Sequence, residues 1–292
     1  MRRLIVNADD FGLTPGVNRA IAESHTRGVV TSATLMAGGA ALADAVGLAA
    51  NLSNLSVGCH VVLVDGRPLL PPERLPSLLL AEHGTQFAPT LGGFLQRALA
   101  GRFNQDEIEA EATAQFQKLQ SLGISISHFD THKHTHIFPS VLRPLLRAAR
   151  SCGIRAVRNP FVPPRALAFE ELRARPKLWT RYWQLRALRR FLPEFHRLVA
   201  EHGLVTTDGC VGIMETGFLD AGLLVAMVGA VASGLPEGTW EMVCHPGYND
   251  ADLGNVCTRL RASRALELSV LTSPEARDLL AKSGVTVVSY RG

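Results

Sequence analysis

Short β-branched runs alternate with helix-patterned stretches along the whole chain, and this alternation limits the fold more than any other feature. Strands separated by helices run parallel, because each helical crossover returns the chain to the same end of the sheet. Leu4-Ile5-Val6 reads as the first buried strand. Thr14-Pro15 opens a helix through Glu23, since threonine caps and proline fits the first helical position. Val29–Met36 and Leu55–Leu63 read as strands two and three, and 64–90 as a long loop rich in proline and leucine. Asn104–Leu122 is a helix stopped by Gly123, Ile124–Lys133 is strand four, and Pro139–Cys152 is a helix stopped by Gly153. Ala156–Asn159 is a short strand. Arg165–His202 is mostly helical, with breaks near Pro176 and Pro193. Val205–Ile213 and Thr239–Cys244 are later strands, Ser273–Ser283 is a helix, and Val285–Tyr290 closes the sheet. With no repeat or linker, residues 1–292 are expected to form one domain on a parallel sheet or barrel.

Composition removes several classes. Hydrophobic residues make up 47% and charged residues 19%, enough for a large core and against disorder. A net charge of +4 is too dilute for a nucleic-acid binder. The five cysteines are odd in number and scattered, which argues against a disulfide framework or a CxxC zinc site and for a reducing cytoplasm. MRRLIVNADD lacks the apolar run of a signal peptide, and no stretch of about twenty apolar residues suggests a membrane span. No nucleophile elbow, P-loop or GxGxxG follows a strand.

In parallel α/β folds, sites gather at the carboxyl ends of the strands. Four strands here carry unusual residues near that end. Strand one runs into Asp9-Asp10-Phe11-Gly12. Neighbours on an extended chain face opposite ways, but a strand end can turn both carboxylates to one site; the plainer reading is an Asx turn before the Pro15 helix. His60 lies in an apolar strand, where a lone histidine is usually a satisfied core residue. Asp130, His132, His134 and His136 alternate, so on a continuing strand they share one face, which is not a core pattern. His245 precedes Pro246-Gly247 after a late strand. One Asp and two His from different strands make an open metal site, which activates water and polarises a carbonyl. Hydrolysis then needs an acid and a base, and the second carboxylate of the pair and His245 can supply them.

Asn7-Ala8-Asp9-Asp10-Phe11-Gly12, His60, Asp130-Thr131-His132-Lys133-His134-Thr135-His136 and His245-Pro246-Gly247 together resemble the YdjC-like carbohydrate deacetylases, which include chitooligosaccharide deacetylases. The motifs occur in the family's order over nearly the whole chain. The resemblance implies a distorted (β/α) TIM-like barrel and a divalent metal ion, Mg or Zn. It implies Asp10, His60 and His132 as ligands, Asp9 as the base that activates the attacking water, and His245 as the acid that protonates the leaving amine. Asp130, His134 and His136 fall in the outer shell or the substrate pocket.

The chain is also similar to the hopanoid-biosynthesis branch, which implies an N-acetylglucosaminyl hopanoid as substrate. Between Arg173 and Arg197, Trp179, Trp183, Ala187, Phe191 and Phe195 recur at helical spacing among arginines. This reads as a helix that buries its aromatics, or as a membrane-surface helix giving peripheral contact at the inner membrane face. Soluble chitooligosaccharides are the alternative substrate. A glycoside hydrolase would leave the histidines idle, and a non-catalytic sugar-binding protein would not need both Asp9 and His245. Nothing in the sequence decides between a monomer and an oligomer.

Overall fold

The computed structural model describes residues 1–79, 84–164, 172–173 and 175–292. Among these, nine strands form one sheet: β1 (Arg2–Phe11), β2 (Ser32–Leu35), β3 (Ser56–Val61), β4 (Phe129–Thr131), β5 (Ala156–Val157), β6 (Val205–Thr206), β7 (Gly209–Val211), β8 (Gly238–Cys244) and β9 (Thr286–Val288). Every pairing is parallel. The order is β6-β5-β4-β3-β2-β1-β8-β7. Its outer strands, β6 and β7, are separated in the chain by only Thr207 and Asp208. The sheet therefore curls until its edges meet in one bent stretch, as a distorted (β/α) barrel. A hydrogen bond from the Cys210 N–H to the Phe161 carbonyl, 3.2 Å, spans the seam.

Two strand expectations change. Val205–Ile213 is two short strands, because the chain leaves β5 for β8 at Thr207-Asp208. Val285–Tyr290 does not close the sheet: β9 lies beside Arg3–Ile5 of β1, off the main order.

The helices are α1 (Pro15–Thr26), α2 (Leu42–Ala50), α3 (Leu91–Leu99), α4 (Gln105–Ser121), α5 (Pro139–Ser151), α6 (Lys177–Leu188), α7 (Leu192–Glu201), α8 (Ala221–Gly229), α9 (Ala251–Gly254), α10 (Ala262–Leu271) and α11 (Pro274–Lys282). Their starts are chemical. Thr14 Oγ1 accepts from Val17 N–H at 3.2 Å, Asn104 Oδ1 from Asp106 N–H at 2.9 Å, and Ser273 Oγ from Ala276 N–H at 3.1 Å. Gly123 and Gly153 follow α4 and α5 with φ of 83° and 74°, a region other residues enter at a cost.

The expected helical stretch 165–202 begins outside the described residues at 165–171 and again at 174. Beyond them, α6 starts after Pro176, α7 carries Pro193 in its first turn, and Arg189–Phe191 forms a 3₁₀ turn between the two. The aromatic stripe is divided. Phe195 is buried, Trp179 and Phe191 are half-buried, and Trp183 is 59% exposed. Arg181 donates to the Met214 and Thr216 carbonyls, and Arg189 to that of Val162. Among the described residues, no helix is long and apolar enough to cross a membrane.

The loop after β3 is pinned from below. Glu107, Glu111 and Gln115 lie four apart on α4 and so share a face. Glu111 accepts from the Leu69 and Leu70 N–H groups at 2.9 and 3.0 Å, and Glu107 from Ser77 N–H at 2.8 Å. Gln115 bonds both the N–H and the carbonyl of Val62. Residues 80–83 of this loop lie outside the described residues.

Apolar side chains pack between the sheet and the helices, with Leu4, Val6, Phe11, Leu35, Phe116, Phe129 and Leu145 all buried. The barrel interior differs: Asn7, Asp9, Thr34, His60, Asp130, Arg158 and Glu241 hydrogen-bond one another across it. It is also tight. A Cβ on Gly58 would meet the His128 ring at 2.5 Å and the His128 carbonyl oxygen at 2.7 Å. Gly58→Ala is expected to cost about 1–3 kcal/mol through overpacking. Thermal unfolding checks this; an unchanged midpoint would show that β4 can move aside.

Candidate metal centre and active site

The site begins with a break in β1. Asp10 has φ 67°, and the pairing with β2 shifts register between Ala8 and Phe11. That bulge stops the strict alternation of side chains, so neighbouring carboxylates reach one site. The left-handed conformation is costly for an aspartate, and such strain collects at functional sites.

Asp10 Oδ1 lies 3.4 Å from both His60 Nε2 and His132 Nδ1. The two ring nitrogens are 3.2 Å apart. A triangle with these edges has its corners about 1.9 Å from its centre, a spacing that fits N and O donors to an ion they would hold at about 2.0–2.2 Å. These three residues form one Asp/His group able to hold a metal. Two of the three corners are steered from behind. Asp130 Oδ1 holds His60 Nδ1 at 2.7 Å and leaves Nε2 facing the triangle. Arg264 Nη2 donates to Asp10 Oδ2 at 2.5 Å. Such outer partners fix tautomer and direction. His132 is 19% exposed, against 2% for His60, so the open side of the triangle is on its flank.

The alternation expected for Asp130, His132, His134 and His136 does not occur. β4 ends at Thr131, and His132–Ile137 forms a 3₁₀ turn with Lys133 and His134 at φ 57° and 55°. Only His132 joins the triangle. His136 bonds Thr131 Oγ1 at 2.7 Å and the Arg158 carbonyl at 3.2 Å, and burial holds its pKa down to about 3. It is a neutral structural ring. His134 Nδ1 is buried and has no hydrogen-bond partner among the described residues. Burial and then the Arg158 charge push its pKa well down. Lys133 Nζ reaches Asp65 Oδ2 at 2.6 Å and ties this turn to the loop after β3.

Asp9 sits beside the triangle, held by Arg158 at 2.8 and 2.6 Å through both Nη atoms. Burial alone would raise its pKa, but the Arg158 charge and hydrogen bonds, then His60 and His245, outweigh this and hold it ionised. Asp10 behaves likewise: burial opposes ionisation, and Arg264, His132 and His60 overcome it. His245 Nε2 lies 3.8 Å from Asp9 Oδ2. Burial lowers its pKa to about 4, against the pull of Asp9 and Asp10. Its backbone N–H is fixed by Glu267 Oε2 at 2.5 Å.

Sequence reasoning missed Arg158, Arg264, Glu241 and Glu267. Arg158 is fully buried and also bonds Asp130 Oδ2 and Glu241 Oε1. The available signal was an arginine directly after the apolar Ala156-Val157 strand and a glutamate inside the Thr239–Cys244 strand. Arg158 also accounts for the second carboxylate-rich group, Asp9, His60 and Asp130. Its guanidinium already supplies positive charge there.

The fold and site define a parallel α/β-barrel protein with an Asp–His–His candidate metal centre at the strand ends. The YdjC-like protein family model matches residues 3–282, and the chain belongs to that family. It is 34% identical over 290 residues to a carbohydrate deacetylase of Geobacillus stearothermophilus, covering 99% of this chain and 97% of the relative. It is 31% identical over 291 residues to a chitooligosaccharide deacetylase of Serratia marcescens, covering 99% and 98%. A solved Enterococcus faecalis structure, of a protein proposed to cleave cellobiose phosphate, superposes with a TM-score of 0.78 at 25% identity, covering 99% of this chain and 98% of that one.

Proposed function

We propose that the protein removes the N-acetyl group from an N-acetylglucosamine-containing substrate and releases acetate. The observation that carries this is the Asp10–His60–His132 triangle with Asp9 and His245 side by side at its edge. A divalent ion, magnesium or zinc, held by those three residues supplies Lewis acidity at an amide carbonyl. Asp9 is kept ionised by Arg158 and so is in the form that takes a proton from the attacking water. The departing amine needs one proton. His245, neutral at rest because it is buried, would receive it from Asp9 through a water bridging their 3.8 Å gap and deliver it to nitrogen. Water is thus split: its hydroxyl goes to the acetyl carbon and its proton to the amine. Arg264 fixes Asp10, and Asp130 fixes His60.

The narrower substrate we propose is an N-acetylglucosaminyl hopanoid, met in the cytoplasm at the inner membrane face. The exposed Trp183, Arg186 and Arg190, on α6 and the turn after it, support contact with a lipid surface. A soluble chitooligosaccharide is the second reading, favoured by the similarity to the Serratia marcescens enzyme.

Acetate release by metal-loaded protein from the glycolipid and from short chitooligosaccharides tests both levels. Release from the glycolipid alone supports the narrower reading, and release from the oligosaccharides replaces it. Silence on both counts against the chemistry itself. Asp9→Asn is expected to keep bound metal while turnover falls by about 10²–10⁴-fold, the usual contribution of a positioned proton acceptor. Metal content and acetate release are measured together; a variant that loses its metal would show that Asp9 is a ligand.

A further inference from the structure

A second group of residues reaches the same centre from the other side of the barrel. Tyr290 follows β9, and its ring stacks on buried His128 with centroids 3.5 Å apart and planes at 10°. Its Oη donates to Glu241 Oε2 at 2.5 Å. Glu241 Oε1 accepts from Arg158 Nε at 2.8 Å and also lies 2.8 Å from Nη2. The two Nη atoms of Arg158 then hold Asp9, and Nη1 also holds Asp130. Asp130 in turn holds His60. Every group between Tyr290 and the triangle is at most 2% exposed, so water does not compete for these bonds.

A guanidinium is planar and presents five N–H donors in fixed directions. Here each of its edges meets a carboxylate. With Glu241 on the Nε edge, Arg158 cannot rock in its plane between Asp9 and Asp130. The phenol hydroxyl is what fixes the far oxygen of Glu241. We propose that Tyr290 and Glu241 are positioning residues for the centre: Tyr290 pins Glu241, Glu241 pins Arg158, and Arg158 aims both Asp9 and, through Asp130, His60. This rests on the reading of Asp9 as the proton acceptor and of His60 as a metal ligand. It gives the segment after β9 a part in the chemistry, although that segment lies far along the chain from the centre.

Tyr290→Phe removes one hydroxyl and keeps the stack on His128. Loss of a group bonded directly to a metal-holding side chain lowers affinity or activity by about 10–100-fold, and Tyr290 stands further out, behind Glu241, Arg158 and Asp130, so the lower end applies. The variant is therefore expected to lose about tenfold in kcat, keep its KM, and bind zinc, used as the probe ion, about tenfold more weakly. Glu241→Gln keeps an acceptor for Arg158 and an amide that Tyr290 Oη can accept from. It should stay closer to the unmodified protein than Glu241→Ala does. The decisive measurement is a double-mutant cycle. At saturating zinc, where the Asp130–His60 branch no longer limits occupancy and only the Asp9 branch is read, Tyr290→Phe should change the residual kcat of Asp9→Asn by less than about twofold. An equal loss in both backgrounds would overturn the proposal, and so would an unchanged kcat and zinc Kd in Tyr290→Phe. If the unmodified protein releases no acetate, the deacetylase reading falls and the zinc titration decides alone. A weakened Kd then supports the positioning role, and an unchanged Kd overturns it.

Discussion

Arg158→Met is expected to lose most of the protein's stability. The substitution keeps much of the side-chain volume and removes one positive charge from a sealed interior. It leaves Asp9, Asp130 and Glu241, each at most 2% exposed, facing one another without their shared partner. Breaking a single buried ion pair from one side costs about 3–5 kcal/mol, and whole domains are stable by only about 5–15 kcal/mol. Arg158 serves three carboxylates, so the loss should be near the upper end of that range. Arg158→Lys should recover part of it, since an ammonium restores the charge but cannot span three acceptors in one plane. Urea unfolding of the metal-free proteins measures both. A methionine variant with an unchanged midpoint would show that the three carboxyls share protons and need no cation.

His132→Ala should abolish metal binding and acetate release while the protein stays folded. His132 is the most exposed corner of the triangle, so its removal leaves no sealed charge behind. Two ligands hold an ion far less well than three, and the lost Lewis acidity accounts for several kcal/mol of transition-state stabilisation. The expected fall in kcat/KM is therefore at least about 10³-fold. His136→Ala is the contrast. Both its ring nitrogens are engaged by Thr131 and the Arg158 carbonyl, so it should lower stability and leave bound metal in place. Metal content by elemental analysis separates the pair. Equal metal loss in both would restore the shared-face arrangement expected for the three histidines.

That contrast shows where the sequence was legible. The parallel α/β architecture followed from alternation alone, because β-branched runs and helical periods are local properties. Asp10, His60 and His132 were visible as polar residues at strand ends, and they do converge. The face shared by His132, His134 and His136 was an extrapolation of strand periodicity. It failed at Thr131, where two left-handed residues turn the chain and no local pattern announces them. Arg158 was hidden for another reason. Its partners lie 149 residues before it, at Asp9, and 83 after it, at Glu241, and a buried arginine looks like any other arginine until those carboxylates are placed. The bend between β6 and β7 was hidden too, since only the choice of neighbouring strand distinguishes it from one continuous strand.

The place of β1 in the sheet has a consequence for biosynthesis. Strand β1 pairs with β8 and β9, both of which are made long after it. The three residues of the triangle lie within the first 132 positions, so an emerging chain carries them all before Arg158 and Arg264 exist to balance Asp9 and Asp10. Contacts this distant in sequence form slowly. Until they form, the nascent chain holds an unneutralised cluster of carboxylates and an unpaired parallel edge, the kind of exposed edge on which aggregation begins. A metal ion present during synthesis would find its ligands before the barrel is closed around them.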